Sequence, residues 1–192
     1  KGVSISIEPQ ERDVMRFLLN FGDARIDMEV KEAGSKKASK GGGDITVEQF
    51  MLNELTNDGL EFEIEVYSKI FKEYEEAVKS KNTLDQQYFL KHRDPEIAEL
   101  CVDLVFSPHS LSKNWEERHQ IHVSTEEMTL RNAVERTVYS LKMSKVKRMI
   151  AENREKIKAS EDENVRADLL KQYGGLLEAK KFISKVLGRV VN

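Results

Sequence analysis

Apolar side chains recur every three or four residues along most of this chain, which is the spacing of an amphipathic α-helix. Between Pro9 and Gly22 the pattern predicts a first helix, because proline suits the first turn of a helix and glycine suits its end. The same spacing predicts four further short helices, over residues 46–59, 64–79, 83–92 and 94–107. The first half of the sequence therefore predicts a helical bundle.

Polar residues in front of these segments supply the expected helix starts. Thr46 and Gln49 form a capping-box pattern, and Thr83 and Gln86 form another. Asp94 stands before a proline, which is typical of an N-cap residue. We therefore predict that each of these helices begins at its capping residue.

The segment "KEAGSKKASKGGGD", residues 31–44, has almost no apolar side chain to bury. Its lysine, serine and glycine content predicts a flexible surface loop. A phosphate-binding loop is the alternative, but that motif needs a lysine and a hydroxyl residue after its last glycine, and Asp44 stands there instead. The surface loop is the preferred interpretation.

The last third of the chain predicts a helical hairpin. A helical pattern without a breaker runs from about residue 125 to residue 160, a length on the order of 50 Å at 1.5 Å per residue. The acidic segment 160–164 then predicts a turn and favours the start of a second arm. Apolar residues of that arm form a seam spaced for an antiparallel partner helix. The seam residues are Leu169, Tyr173, Leu176, Lys180, Ile183, Leu187 and Val190.

Gly174 and Gly175 lie inside the second arm. Each costs about 1 kcal/mol relative to alanine in a helix interior, so we predict that they kink the arm or split it in two. The apolar residues off the seam are the candidates for contact with a partner. They are Leu170, Leu177, Phe182 and Val186.

Together these patterns predict an all-α fold, in which an N-terminal helical bundle is joined by a long helix to a C-terminal helical hairpin. We assign the bundle to residues 1–141 and the hairpin to residues 142–192, with the long helix, about 125–160, shared between them. Because the chain starts at Lys1 and not at methionine, we expect it to be a fragment of a longer protein.

Composition excludes several classes of protein. No run of about 18 apolar residues is present, so neither a membrane span nor a secretion leader is expected. The single Cys101 allows no internal disulfide and no thiolate zinc cluster, which fits a reducing cytosol. The net charge of −3 averages an acidic stretch, 44–76, and a basic stretch, 142–158.

The segment "LSKNWEERHQIHV", residues 111–123, is the strongest candidate for a metal site. His119 and His122 are spaced as one helical turn would place them, but zinc needs three or four ligands and no H-E-x-x-H pattern is present. Packing of Trp115 and one histidine in the bundle is the preferred interpretation. No nucleophile stands in a recognisable catalytic context. We therefore expect no metal, no cofactor and no catalysis.

Five segments of the chain carry a further signal: "ERDVMRFLLNFG", "FMLNELTNDGLEFE", "YFLKHRDPEIAEL", "LSKNWEERHQIHV" and "KKFISKVLGRVV". Together they resemble the C-terminal region of bacterial DNA primase of the DnaG type, most closely that of the Bacteroidetes group. The resemblance covers nearly the whole chain. It implies a helicase-binding domain, whose hairpin docks on the hexameric replicative DNA helicase of the DnaB type.

The resemblance also implies where partners bind. The helicase surface falls on the second arm and its end, at Leu176, Leu177, Lys180, Lys181, Phe182, Lys185, Val186, Arg189 and Val190. A second site, near Arg12, Met15 and Arg16, resembles the region that receives the acidic tail of single-stranded-DNA-binding protein.

The parent primase's zinc ribbon and polymerase core have no counterpart in these residues, so the resemblance implies a non-catalytic fragment in the bacterial cytoplasm, at the replication fork. Direct nucleic-acid contact is expected to be weak or absent. The alternative function is a nucleic-acid-binding helical module that uses the basic helix 142–158, since lysine and arginine attract phosphates. The chain is expected to be a monomer or a domain-swapped dimer, because a hairpin can exchange between molecules.

Overall fold

The structure, a computed structural model, describes residues 6–28, 43–80, 82–106 and 126–190. Within these ranges the chain forms seven α-helices and one two-stranded sheet. The elements are α1 (Glu8–Phe21), β1 (Arg25–Met28), β2 (Gly43–Thr46), α2 (Val47–Asn57), α3 (Glu65–Lys79), α4 (Gln86–Leu90), α5 (Pro95–Phe106), α6 (Glu126–Ala159) and α7 (Glu163–Val190). Helix predominates, so the predicted all-α class is confirmed.

The chain divides into two compact units. One is Arg12–Val134, and the other combines Lys1–Glu11 with Glu135–Asn192. The second unit is therefore discontinuous in sequence, since one of its segments precedes residues 12–134 in the chain and the other follows them.

The core of the Arg12–Val134 unit is built from the apolar faces of four helices. Leu18 of α1, Met51 of α2, Ile70 of α3 and Ile97 of α5 are all buried. Tyr74 of α3 is buried with them, and its hydroxyl donates a hydrogen bond to the carbonyl of Leu18 at 3.2 Å. This bond satisfies a polar group that would otherwise be costly to bury.

A short antiparallel ribbon, which the sequence pattern did not predict, follows α1. Strand β1 pairs with β2 in the register Arg25↔Thr46 and Ile26↔Ile45. Gly43 and Asp44 belong to β2, so their assignment to a surface loop was wrong, whereas residues 31–42 lie outside the described residues. Strands of four residues, in which Ile26 is buried, are too short for their alternation to be recognised.

Most of the predicted helix starts are confirmed. The Thr46 hydroxyl accepts from the backbone N–H of Gln49 at 3.1 Å, and the Gln49 side chain accepts from the Thr46 N–H at 3.2 Å. Asp94 accepts from the N–H of Glu96 at 3.0 Å. Thr83 was wrong as a cap, because Asp85 accepts from the N–H of Tyr88 at 2.8 Å and α4 begins after it.

The two arms predicted from the last third of the chain are present as α6 and α7. In the turn between them, the carboxylate of Asp162 accepts from the N–H groups of Asn164 at 2.8 Å and Val165 at 3.3 Å, which caps α7. Farther along, the amide of Asn153 on α6 donates to the Gln172 Oε1 on α7 at 3.4 Å. This contact joins the arms in antiparallel fashion.

The apolar seam of α7 lies where its spacing predicts. Ile183 is buried, and Leu169, Tyr173, Leu176 and Leu187 are partly buried, whereas Lys180 and most of the rest of α7 are exposed. Helix α7 nevertheless runs without interruption through Gly174 and Gly175, so the predicted break was wrong. The helix has 28 residues, and two weak positions do not outweigh the hydrogen bonds and the seam on both sides of them.

Candidate functional site

Helix α7 presents large apolar side chains to solvent. Phe182 is 61% exposed, Leu170 is 52% exposed and Leu177 is 41% exposed. Single exposed apolar residues are common on protein surfaces, but a group of them on one helix is a candidate for contact with another molecule. The second arm is therefore the candidate interaction site.

Five of the nine predicted docking residues form one continuous surface. Residues three or four positions apart are neighbours on a helix, so Leu177 lies beside Lys181, and Lys181 lies beside Lys185. In the same way, Phe182 lies beside both Lys185 and Val186. We call these five residues the α7 outer face.

The other predicted docking residues are placed differently. Leu176 and Lys180 occupy seam positions together with Ile183; Leu176 is partly buried there, whereas Lys180 is exposed. Arg189 and Val190 lie in the last turn of α7, and their side chains are outside the described residues. The prediction therefore combined two faces of one helix, which the sequence pattern could have separated.

The chemistry of the α7 outer face is apolar with a cationic margin. Phe182 lies among exposed lysines at 181 and 185, and Glu178 is one turn before it. Apolar centres surrounded by charged residues are the usual anatomy of a protein interface. An apolar pocket with acidic residues around it would be complementary to such a face.

The second predicted partner site is only partly on the surface. Met15 is fully buried in α1, so the expectation that it contacts a partner was wrong. Arg12 pairs with Asp103, and the hydrogen bond to this carboxylate raises the pKa of the arginine. Arg16 pairs with Asp13 at 3.1 Å. Two half-exposed arginines remain, each already engaged with a carboxylate.

The basic segment 142–158 is less available to a ligand than its composition indicates. Lys145 is buried, and its Nζ lies 3.2 Å from Oε1 of Glu11, which is also buried. Lys142 is buried too, with its Nζ 5.1 Å from the centre of the Tyr139 ring. The first two lysines of the segment therefore stabilise the fold and are poorly placed to contact a phosphate backbone.

The candidate metal residues Trp115, His119 and His122 lie outside the described residues. Within the ranges that are described, no group of three histidine, cysteine, aspartate or glutamate side chains is placed to hold a metal ion. His92 uses both ring nitrogens, since Nε2 lies 3.0 Å from Glu73 and Nδ1 accepts from the N–H of Asp94.

Comparison with known families places the whole chain in one of them. Residues 2–190 match the family described as "Domain of unknown function (DUF8430)". The chain belongs to the DUF8430 family. No curated protein and no solved structure matches this DUF8430 chain. Among its described helices, none is both long enough and apolar enough to cross a membrane.

Sequence reasoning missed a buried carboxylate in this DUF8430 chain. Glu48 is only 3% exposed, and its Oε1 has no hydrogen-bond partner among the described residues. Burial, and secondarily the charge of Asp23, raises the pKa of Glu48 to about 7. The sequence gives no signal for this, because an acidic residue in the first turn of a helix is normally an exposed, favourable one.

Cys101 is not a nucleophile at neutral pH. It is buried in α5, and burial, followed by the charge of Glu73, raises the pKa of its thiol to about 12. Because the thiolate is the reactive form, this cysteine acts as a small apolar core residue.

Proposed function

We propose that this chain is a non-catalytic protein-interaction domain that docks on the hexameric replicative DNA helicase through the α7 outer face. In that role it couples primer synthesis to DNA unwinding at the replication fork, in the bacterial cytoplasm. The resemblance to the C-terminal region of DNA primase supports the identity of the partner. The exposed Phe182 is the observation that carries the surface assignment.

The magnitude of the interaction depends on a few central side chains. Aromatic residues at the centre of an interface each contribute about 2 kcal/mol or more, which corresponds to about thirtyfold in affinity. Phe182 has the size and the exposure for this role, and Leu177 and Val186 extend the apolar area around it. The lysines at 181 and 185 add attraction to an acidic margin and speed association.

The test is binding of the chain to the cognate replicative helicase, measured by co-elution and by titration. We expect Phe182→Glu to weaken binding at least about thirtyfold, because the substitution places a charge in the apolar centre. Its matched control is Val165→Glu, a 50% exposed position on the same helix, about 25 Å away at 1.5 Å per residue. Both sites are exposed, so neither variant should unfold the chain. Equal binding by the two variants would contradict the surface assignment.

Two further proposals concern partners and assembly. Single-stranded-DNA-binding protein is a second proposed partner. Its contact would be made by Arg12 and Arg16, because Met15 is buried. The chain itself is proposed to be a monomer, with a domain-swapped dimer formed by exchange of the hairpin as the alternative. Light scattering across a range of concentrations separates the two states.

The alternative function, a nucleic-acid-binding module on the basic helix, is disfavoured by one observation. Lys142 and Lys145 are buried, and Arg148 lies 3.4 Å from the carboxylate of Glu152. Lys147, Arg154, Lys156 and Lys158 remain as exposed cations of that helix, with Lys158 paired to Glu155. A module of this kind would lose affinity for nucleic acid when Lys147 and Lys156 become glutamate.

A further inference from the structure

A second cluster of cationic and aromatic side chains lies on the Arg12–Val134 unit, where α4 passes into α5. A depression of about 360 Å³ is present there. This volume is within the range of small-ligand sites. Its lining residues are Gln87, Tyr88, Lys91, His92 and Arg93.

The depression is held in shape by its own hydrogen bonds. The N–H groups of Lys91 and His92 donate to the carbonyls of Gln87 and Phe89, both at 3.2 Å, which closes the end of α4. The His92 ring is fixed at both nitrogens, by Glu73 and by the backbone of Asp94. A ligand would therefore meet a surface that is already ordered.

Tyr88 is the aromatic wall of this surface. Its ring packs against Phe89 with centroids 5.1 Å apart and against His92 with centroids 5.7 Å apart, both in edge geometry. The residue nevertheless remains 43% exposed. A rigid, half-exposed ring of this kind is what a nucleic-acid base stacks on.

The two cations beside the ring are available. Within the described part of the chain, neither Lys91 nor Arg93 has a carboxylate within 4 Å, and both side chains are exposed. Of the nearby carboxylates, Glu73 lies 3.0 Å from His92 through one oxygen, while its other oxygen has no hydrogen-bond partner among the described residues. Asp94 caps α5 and lies 3.5 Å from Lys69. The cationic groups are thus free to meet an anion.

We propose that this depression binds single-stranded nucleic acid, with one base stacked on Tyr88 and the neighbouring phosphates paired with Lys91 and Arg93. The amide of Gln87 adds a donor and an acceptor for the edge of the base. An acidic peptide would use the same cations, but it would leave the ordered ring without a stacking partner. The proposal is independent of helicase docking, which concerns α7.

The strength of binding follows from the number of contacts. Two phosphate contacts on a single strand give a salt slope of about −1.4, so affinity should fall about sevenfold between about 50 mM and 200 mM salt. Loss of one stacked base should weaken binding at least about fivefold. Glu73 and Glu76 act on Tyr88 electrostatically and oppose a phosphate nearby. We therefore expect a weak contact, with a dissociation constant on the order of 10⁻⁴ to 10⁻⁵ M.

The experiment is fluorescence anisotropy of a labelled oligo(dT) of about 15 nucleotides titrated with the 192-residue chain. We expect the double variant Lys91→Glu/Arg93→Glu to lose at least tenfold in affinity and most of its salt slope. Tyr88→Ala should lose at least fivefold, whereas Tyr88→Phe, which keeps the ring, should bind nearly as well as the parent. Circular dichroism checks that each variant is folded.

The matched control is Lys147→Glu/Lys156→Glu, which makes the same charge change at exposed positions of α6. It should bind oligo(dT) like the parent chain. If this control loses affinity while the Lys91 and Arg93 variant does not, nucleic acid binds α6 and the proposal is overturned. Absence of oligo(dT) binding at low salt would also overturn the proposal. So would the finding that the chain binds labelled oligoglutamate instead of oligo(dT), and that the same variants weaken this binding.

Discussion

Replacing the buried carboxylate of Glu48 should make the protein more stable at alkaline pH and change little at acidic pH. The pKa of Glu48 is raised from 4.5 to about 7, mainly because burial disfavours the charged form. The folded state therefore binds this proton more tightly than the unfolded state does. The stability that this bound proton contributes is fully present below pH 4.5, and it is lost as the pH rises through about 7.

The size of the effect follows from the two pKa values. With 4.5 for the unfolded chain and about 7 for the folded one, the ionisation of Glu48 costs the folded state about 2.5 kcal/mol more at pH 8 than at pH 5. In the variant Glu48→Gln this pH-dependent cost is absent. Relative to the parent chain, the variant should therefore gain about 2.5 kcal/mol of unfolding free energy between these two pH values. For a chain of this size that corresponds to about 5–10 °C in Tm.

The assay is urea unfolding of the parent chain and of Glu48→Gln at pH 5 and at pH 8, followed by circular dichroism. The control is Glu99→Gln, which removes an exposed carboxylate of α5 and should show a difference from the parent that barely changes with pH. Asp23→Asn should reproduce part of the effect, because the charge of Asp23 is the second cause of the raised pKa. If the unfolding free energies of the parent chain and of Glu48→Gln differ by the same amount at both pH values, the pKa of Glu48 is not raised by burial.

Two further predictions concern the unit that contains α7, both measured by thermal or urea unfolding. Lys145→Met should cost about 3–5 kcal/mol because it removes one partner of a buried ion pair with Glu11. The double variant Glu11→Met/Lys145→Met should recover most of that loss, and a double variant as unstable as the single one would contradict this. The double variant Gly174→Ala/Gly175→Ala should raise the free energy of unfolding by about 1–2 kcal/mol, because an added methyl group meets nothing within 4 Å at either position. A lower free energy of unfolding would contradict this and show that these glycines are needed.

The helices could be predicted from the sequence because their signals are local. The run without a helix breaker that places α6 and the hydrogen bonds that cap α2 and α5 each involve residues within a few positions of one another. The capping residue of α4 was wrong for the same kind of reason, because Thr83 and Asp85 both satisfy a local rule and only the folded chain shows which one is used. Local rules of this kind define where helices lie better than where each one starts.

What could not be predicted depends on contacts that are distant in sequence. Lys145 looks like part of a solvated basic face until Glu11, 134 positions earlier, is placed beside it. Met15 fits either a surface or a core position, because α1 is buried on more than one side. For the candidate site, the apolar residues of α7 were identifiable from their spacing. The same spacing separates seam positions from outer positions, but it does not give how far each is buried, since Lys180 on the seam is exposed and Val186 on the outer face is partly buried.

The discontinuity of the second unit has a consequence for the order in which the protein folds during synthesis. Residues 12–134 leave the ribosome as one continuous stretch and can fold before the rest of the chain exists. Glu11, by contrast, cannot form its ion pair with Lys145 until that lysine has been translated. The segment in front of Arg12 is thus among the first parts of this chain to be made and among the last to reach its native environment, which makes it the part most dependent on completion of translation.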